Sequence, residues 1–206
     1  MNQDKIVVVM GGPSTEAEIS RQTGSAILKA LQSKGYNAEG MELNPPTFAE
    51  DIKKSGCAIV FNALHGKFGE DGVLQGTLDM LGIPYTGSGV LAAAVTMDKA
   101  ASKRVFVAEG ISTPRPHTYY RYEMKRDLAA EIEQGFSLPV VVKAASQGSS
   151  IGVYIVETKD ALEDALKEAF SYNDEVLVEE FIRGKELTVA VWGNEEKKEA
   201  FPIIEI

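Results

Sequence analysis

The sequence is poor in cysteine and in long apolar runs, and each scarcity excludes a class of protein. Cys57 is the only cysteine among 206 residues, so no disulfide can form within the chain, which fits a reducing compartment. We expect it to be a buried structural thiol. No apolar run approaches membrane-spanning length. Residues 1–5 lead directly into a strand pattern rather than a signal peptide. We therefore expect a cytoplasmic protein without a membrane partner.

Positive charge is also scarce in this sequence. There are 21 Lys and Arg residues against 30 Asp and Glu residues, which gives a formal net charge of -9 at pH 7. Affinity for nucleic acid rests on clustered basic residues, so a nucleic-acid partner is not expected. Hydrophobic residues make up 44% of the chain and charged residues 25%, which is typical of a folded globular protein of one large or two small domains.

The most informative stretch lies between residues 139 and 156. Two short apolar runs, residues 139–143 and 152–156, predict strands, and the segment between them predicts a hairpin tip. The small residues near this tip are Gly148, Ser149, Ser150 and Gly152. Such residues leave backbone N–H groups accessible to an anion, and Lys143 at the foot of the loop adds a positive charge. The pattern predicts a phosphate clamp; an ordinary hairpin tip with a solvated lysine is the alternative.

The first 96 residues alternate between strand and helix patterns. Strands are predicted at residues 6–10, 36–43, 58–62 and 83–86, and helices at residues 48–54 and 72–81 and between the first two strands. In that first helix we expect Ser14 or Thr15 as the cap, Thr15 and Glu18 in capping-box spacing, and Ile19 on the apolar face. The alternation implies a parallel sheet, whose ligands bind at the carboxyl ends of the strands.

Two loops at these carboxyl ends carry polar side chains. Glu16 follows the first strand, and His65, Glu70 and Asp71 follow the third, so we expect all four on one rim of the sheet. Glu16 could simply stabilise the start of a helix, and His65 could be a turn residue. A loop with three glycines, a histidine and two acids nevertheless exceeds what a turn requires, and it indicates a binding site.

The remaining chain predicts further helices and strands with charged residues at their ends. The predicted elements are a helix from about residue 97 to 109, a helix at 160–170, a strand at 175–182 and a strand at 186–192. Glu179 and Glu180 near the end of a strand are either solvated edge residues or acceptors for a ribose hydroxyl or an exocyclic amine. Lys99 is either a surface lysine or a ligand-binding residue.

Several motifs in order make the sequence resemble the D-alanine:D-alanine ligases of the ATP-grasp superfamily. The motifs occupy residues 11–20, 65–66 with 69–72, 74–76, 84–89, 97–99, and 143 with 148–152. The similarity runs from Lys5 to the last residue. It implies an α/β fold with a Rossmann-like (pre-ATP-grasp) substrate domain containing a parallel sheet at residues 1–96. An incomplete α+β ATP-grasp domain would follow, with its first lobe at 97–183 and the start of its second lobe at 184–206.

The resemblance also implies roles for individual residues. The implied ATP-binding residues are Lys99, Lys143, Gly148, Ser149, Ser150, Gly152, Glu179, Glu180, Phe181, Ile182 and Glu186. The two lysines would contact the phosphates, under a loop formed by residues 147–152. Residues 179–182 would bind adenine largely through the main chain, and Glu186 would bind ribose. Glu16 and Ser149 would be the catalytic residues, with Glu16 and His65 binding the first D-alanine.

The implied activity is ATP-dependent ligation of two D-alanines through an acyl phosphate, for peptidoglycan precursor synthesis. Ala144 and Gln147 depart mildly from the family pattern, which usually has proline and often an acid at those positions. The family's magnesium ligands lie beyond the last residue here, so we expect no metal ligand in this chain, Mg²⁺ in the complete enzyme, and negligible turnover by this chain alone. The resemblance also suggests a homodimer through the N-terminal domain.

Two different functions compete with this activity. The chain could be a non-catalytic nucleotide-binding or regulatory fragment that keeps the fold without the chemistry. It could also belong to a ligase that takes D-lactate or D-serine as the second substrate.

Overall fold

The computed structural model describes residues 4–194 and 196–206. Residues 1–3 of the predicted N-terminal domain and Glu195 of the predicted last segment lie outside the described residues. The predicted α/β fold is confirmed, with a parallel sheet first and antiparallel sheets after it. The divisions expected at residues 96/97 and 183/184 stay predictions.

A three-stranded parallel sheet forms the centre of the N-terminal region. Strand β1 (Ile6–Met10) lies between β2 (Ala38–Glu42) and β3 (Ile59–Asn62). Val7, Val8 and Val9 are fully buried, as expected for a strand covered on both faces. The parallel arrangement predicted from the alternation is thereby confirmed. Cys57, expected to be buried, is half-buried and packs against the core of this region.

Four helices accompany this sheet. They are α1 (Ala17–Ser33), α2 (Phe48–Ser55), α3 (Val73–Leu81) and α4 (Val90–Met97). The sequence patterns did not predict α4. Residues 83–86 form only a parallel bridge between Tyr85 and Val60, so the predicted fourth strand is wrong.

The predicted start of α1 and the predicted place of Ile19 on its apolar face are also wrong. The helix follows Glu16 without a side-chain cap, because the Ser14 hydroxyl instead accepts from the Glu16 N–H and donates to the His65 carbonyl. Ile19 is 54% exposed. The helix packs through Ser20 and Gly24, since it lies so close to β1 that a Cβ on Gly24 would collide with the Met10 side chain. Small residues thus form the closest contact with β1, while the Leu28 side chain lies against Gly40 of β2.

The second region is built on a four-stranded antiparallel sheet. Its elements are α5 (Lys99–Ala108), β4 (Pro116–Tyr120), a 3-10 helix (Arg121–Lys125), α6 (Leu128–Gly135), β5 (Val140–Ala144), β6 (Val153–Val156), α7 (Lys159–Tyr172) and β7 (Glu175–Glu180). The strand order is β4-β7-β5-β6, and the predicted hairpin is confirmed as the β5–β6 pair. Alternate β5 residues are buried, and Val140 and Val142 belong to the core formed with α6 and α7. Lys143 therefore lies on the opposite face of the sheet.

The last described segment forms two small sheets near the surface. Strands β8 (Leu187–Thr188) and β11 (Ile204–Glu205) pair with each other, as do β9 (Val191–Gly193) and β10 (Lys198–Ala200). All four strands are exposed. Two short strands, β8 and β9, therefore replace the single strand that was predicted at residues 186–192. Within the described residues no helix combines the length and apolar character required to span a bilayer.

Candidate functional site

One buried serine ties together the carboxyl ends of β1 and β3. Ser20 is 0% exposed; its hydroxyl accepts a hydrogen bond from the Gly11 N–H and donates one to the Ala63 carbonyl, both at 2.8 Å. The Ser14 hydroxyl, 3.0 Å from the His65 carbonyl oxygen, makes a second connection. These bonds join loops 11–16 and 63–72, which we call the rim.

His65 and Glu70 form a polar pair on the rim. The His65 Nε2 atom lies 3.1 Å from the Thr23 hydroxyl oxygen, and its Nδ1 atom lies 3.9 Å from Glu70 Oε1. The other Glu70 oxygen accepts a hydrogen bond from the Gly66 N–H at 2.8 Å. Glu70 therefore both fixes the backbone after His65 and presents negative charge to its ring.

The rest of the rim is held by side chains that bond to its backbone. Asn62 and Gln75 both donate to the Gly69 carbonyl, at 2.8 and 2.7 Å, and Gln75 is buried. Asp71, which the sequence placed with the site acids, accepts from the Phe68 N–H at 2.8 Å. Asp71 consequently has a clear role in the loop conformation. Sequence patterns did not predict Asn62 and Gln75 as supports, although a glutamine on an apolar helix was a usable signal.

The Glu16 carboxylate lies between two glycines from different loops. A Cβ atom added to either Gly66 or Gly148 would collide with a Glu16 oxygen. Gly66 has a positive φ, whereas Gly148 does not, so at Gly148 the lack of space alone favours glycine. This close approach brings the rim and the loop between β5 and β6 (residues 145–152, called the hairpin loop) to the same point.

The hairpin loop is anchored mainly by Lys99 at the start of α5. The Lys99 N–H donates to the Ala145 carbonyl at 2.9 Å, and its ammonium donates to the Gln147 carbonyl. Ser149 and Ser150 are exposed, and Ser149 has a φ of 52°. Throughout the part of the chain that the structure describes, the N–H groups of these two serines have no acceptor. They are thus available to an anion, as the clamp hypothesis requires.

Two lysines contact one buried carboxylate beside the loop, and Lys99 interacts with that carboxylate only through its charge, at longer range. Lys143 Nζ donates to Glu179 Oε2 at 2.8 Å, and Lys103 Nζ lies 3.1 Å from Glu179 Oε1. Burial and the neighbouring charge of Lys143 lower the pKa of Lys99. Burial also lowers the pKa of Lys103, against the opposing effect of Glu179. We call Lys99, Lys103, Lys143 and Glu179 the lysine cluster.

Lys103 was not among the residues selected from the sequence. Its spacing of four residues from Lys99 on a predicted helix was the available signal, because such residues share a helix face. Its pairing with Glu179 depends on how α5 packs against the sheet. No local pattern contains that information.

A cavity of about 590 Å³ lies between the rim and the hairpin loop. Its wall includes Thr23, Asn62, His65, Glu70, Gln75, Thr86, Ser88, Lys99, Gln147 and Gly148. An acidic residue, Glu70, and a basic residue, Lys99, therefore line the same space. Such a cavity can hold a small molecule that carries both signs of charge.

The residues predicted to bind adenine and ribose lie outside the walls of this cavity. A Glu180 carboxylate oxygen accepts from the Arg115 N–H at 3.0 Å, and the Phe181 N–H is 3.4 Å from the Pro139 carbonyl oxygen. Ile182 and Glu186 are exposed. The structure thus brings Glu16, His65, Lys99 and Gly148 together. Lys143 and Glu179 lie next to them, whereas Ile182 and Glu186 lie on the surface.

In residues 4–194 and 196–206 no group of three or more His, Cys, Asp and Glu side chains is arranged to hold a metal.

Two family models match the chain. The model described as the D-ala D-ala ligase N-terminus matches residues 38–88, and the model described as the D-ala D-ala ligase C-terminus matches residues 106–206. The two matches include β2, β3 and the four-stranded antiparallel sheet, but not β1, loop 11–16 or the start of α5.

Individual proteins show the same likeness. The chain is 46% identical over 205 residues to a D-alanine–D-alanine ligase of Moorella thermoacetica, covering 98% of the chain and 66% of that relative. A crystal structure of the Bacillus anthracis D-alanine–D-alanine ligase complexed with ATP superposes with a TM-score of 0.83 at 36% identity, covering 98% of the chain and 65% of that structure. For the VanG D-Ala:D-Ser ligase of Enterococcus faecalis the TM-score is 0.82 at 29% identity, with 99% and 70% covered. The chain thus spans about two thirds of the length of its curated relatives.

Proposed function

The chain belongs to the D-alanine–D-alanine ligase family, and from that premise we propose that the complete protein joins two D-alanine molecules at the expense of ATP. The observation that carries the proposal is the meeting of the Glu16 carboxylate with Gly148 of the hairpin loop. It puts an anion suited to an amino-acid ammonium beside a loop suited to phosphate. The dipeptide would serve peptidoglycan precursor synthesis in the cytoplasm.

In this proposal the rim binds the first D-alanine. Glu16, which lies beside Gly148 of the cavity wall, pairs with its ammonium, and His65 forms part of that wall. Fixing the ammonium directs the small substrate's carboxylate toward the hairpin loop and Ser149. Holding reacting groups in this geometry supplies much of the rate enhancement that such a reaction needs.

The hairpin loop and the lysine cluster then serve the nucleotide. Lys99 and Lys143 neutralise phosphate charge, and the N–H groups of Ser149 and Ser150 donate to phosphate oxygens. An oxygen of the D-alanine carboxylate attacks the γ-phosphorus of ATP, which gives an acyl phosphate and ADP. The amine of the second D-alanine attacks the acyl carbon, the peptide bond forms, and inorganic phosphate leaves. The protein supplies position and charge rather than a covalent nucleophile.

Magnesium enters this proposal only as an expectation from the family. The ion would neutralise charge between the β and γ phosphates. The donor set described above does not fit it, since the described residues contain no cluster of three potential ligands. No step above depends on an ion held by this chain, and the low turnover expected of these 206 residues alone stays a prediction.

The identity of the second substrate is a separate question. The likeness to a D-Ala:D-Ser ligase favours D-serine as a competing acceptor. D-lactate is another possible acceptor. A role in nucleotide binding without catalysis is the alternative to ligase activity. Phosphate release by the complete protein with D-alanine alone, and with D-alanine plus D-serine or D-lactate, separates them. A homodimer through the N-terminal region is likewise a proposal, and sedimentation of the complete protein tests it.

The decisive variant for the ligase proposal is Glu16→Gln in the complete protein. Losing the partner of the substrate ammonium should lower kcat/KM for D-alanine about a hundredfold, as removal of one buried or half-buried charge partner does. Glu18→Gln is the matched control, because Glu18 lies in the first turn of the helix that follows Glu16 and its side chain is exposed. Calorimetric titration with ATP, with Lys143→Ala for comparison, tests the nucleotide half. Equal D-alanine kinetics in both glutamine variants would refute the role of Glu16, and no ATP binding by the complete protein would refute the ligase proposal.

A further inference from the structure

Lys143 is engaged with Glu179 before any nucleotide is bound. Its ammonium donates to Glu179 Oε2 at 2.8 Å, and its side chain is 26% exposed. A phosphate group that takes this ammonium must draw it away from the carboxylate. The Glu179 side chain is only 2% exposed, so a Glu179 left without a counter-ion would be an unpaired buried charge, which is strongly unfavourable.

Glu179 also forms an ion pair with Lys103, and Lys103 is not expected to bind phosphate. Lys103 Nζ lies 3.1 Å from the other carboxylate oxygen and donates to the Pro114 carbonyl at 3.0 Å. Its side chain is 11% exposed, less than half as exposed as that of Lys143. Lys103 is therefore held by one hydrogen bond, to Pro114, and one ion pair, to Glu179, whereas the contact with Glu179 is the only one described for the Lys143 ammonium.

We propose that Lys103 is a positioning residue that keeps Glu179 neutralised and thereby releases Lys143 to bind the phosphates of the nucleotide. This inference rests on the proposed function, because it takes Lys143 as a phosphate ligand. With Lys103 present, Lys143 can leave without exposing an uncompensated buried carboxylate. Without Lys103, the same carboxylate would retain Lys143 as its sole counter-ion.

The charges around the cluster favour this division of roles. Lys143 and Lys103 repel each other across one carboxylate, and this repulsion adds to burial in lowering the pKa of Lys103. Moving Lys143 toward a polyphosphate relieves that repulsion, while Lys103 stays where Pro114 holds it. Lys103 acts through Glu179 and is not itself expected to touch the nucleotide.

A nucleotide series tests the proposal in the complete protein. Calorimetry would give the affinities for adenosine, AMP, ADP and ATP in the wild type, Lys103→Met and Lys103→Arg. In Lys103→Met the ratio of ATP affinity to adenosine affinity should fall about ten- to a hundredfold, because a buried ion pair must be broken before phosphate binds. Lys103→Arg retains the cation and should keep the ratio close to that of the wild type.

A second substitution distinguishes positioning from a merely structural role. Adding Glu179→Gln to Lys103→Met removes the carboxylate that retains Lys143, so the ATP-to-adenosine ratio should recover, even if both affinities shift together. If Lys103→Met does not fold, Glu179→Gln alone should raise the ratio above that of the wild type. An unchanged ratio in Lys103→Met, an equal loss for ATP and adenosine, or no effect of Glu179→Gln on the ratio would overturn the proposal. A wild type that does not prefer ATP over adenosine would instead refute the proposed function.

Discussion

The rim and the hairpin loop face each other but are stabilised in different ways. The rim's backbone is bonded to side chains at Gly11, Ala63, Gly66 and Gly69, with distances of 2.7 to 2.8 Å. The hairpin loop has fewer side-chain bonds to its backbone: the Lys99 ammonium donates to the Gln147 carbonyl, and the Ser146 N–H lies 3.3 Å from Asn173 Oδ1. The rim is thus preorganised for a small rigid substrate, whereas the hairpin loop keeps N–H groups available for a ligand that brings its own charge.

The difference shows where each half of the site draws its stability. The rim depends on the buried side chains of α1 and α3, so its geometry is part of the folded core. The hairpin loop depends on Lys99, a residue that the proposed function also assigns to phosphate. Binding of a nucleotide would therefore alter the support of the hairpin loop but leave the rim unchanged.

The strongest test of the rim's rigidity is Ser20→Ala. Loss of the hydroxyl would leave the buried Gly11 N–H and Ala63 carbonyl unpaired, so the free energy of unfolding should fall by about 2–4 kcal/mol. Ser33→Ala is the control, because its hydroxyl bonds to Ala30 at the exposed end of the same helix. Denaturant unfolding measures both. A loss no larger than in the control would mean that the rim does not depend on Ser20.

The meeting point of the two loops is tested by Gly148→Ala. The added Cβ would displace the Glu16 carboxylate, so KM for D-alanine in the complete protein should rise about tenfold, the cost of losing one charge-assisted hydrogen bond. Stability should change little, since the affected group is the end of a flexible side chain. Gly184→Ala is the matched control, because nothing lies within 4 Å of its added Cβ. Equal KM values for the two alanine variants would show that the function of Glu16 does not depend on its contact with the hairpin loop.

The smallest expected effect is the pH dependence of the free energy of unfolding that arises from Lys99, the residue that anchors the hairpin loop. Burial and Lys143 lower the pKa of Lys99 in the folded chain below the usual 10.5. Between that lowered pKa and 10.5 the unfolded chain binds more protons, so the contribution of Lys99 to the free energy of unfolding rises with pH. The slope is at most about 1.4 kcal/mol per pH unit.

Comparing unfolding curves of the wild type and Lys99→Met across alkaline pH isolates this contribution. Three tyrosines with raised pKa values, Tyr85, Tyr119 and Tyr154, titrate in both proteins and cancel in the difference. A difference that stays flat or falls as pH rises would contradict the lowered pKa of Lys99.

Patterns within one element were enough to predict much of the fold. The continuous valine run of β1, the two apolar runs of the hairpin and the apolar face of α7 each reflect local periodicity. Helix α4 could not be found in this way, because residues 90–97 are almost uniformly apolar and show no polar face. Strand β4 begins with Pro116, which argues against a strand, yet it is tolerated at the edge of the sheet.

The site residues were predictable only as separate motifs. The rim acids and Lys143 were visible because they lie near strand ends and glycine-containing loops, whereas the role of Lys99 came only from the family resemblance. The contact between Glu16 and Gly148, and the pairing of Lys103 with Glu179, arise from packing between distant segments. These contacts cannot be read from spacing, and they determine what the motifs do together.

Helix α5 carries a consequence for how the sequence can change in length. Lys99 supports the hairpin loop and Lys103 contacts Glu179, and the two residues are separated by about one helical turn, or roughly 6 Å along the axis. One residue inserted between them would rotate Lys103 by about 100° away from Glu179. We therefore expect an insertion or deletion within residues 100–102 to separate Lys103 from Glu179. Exposed turns such as the one at Gly184 can accept such changes, because no buried charge there depends on helical phase.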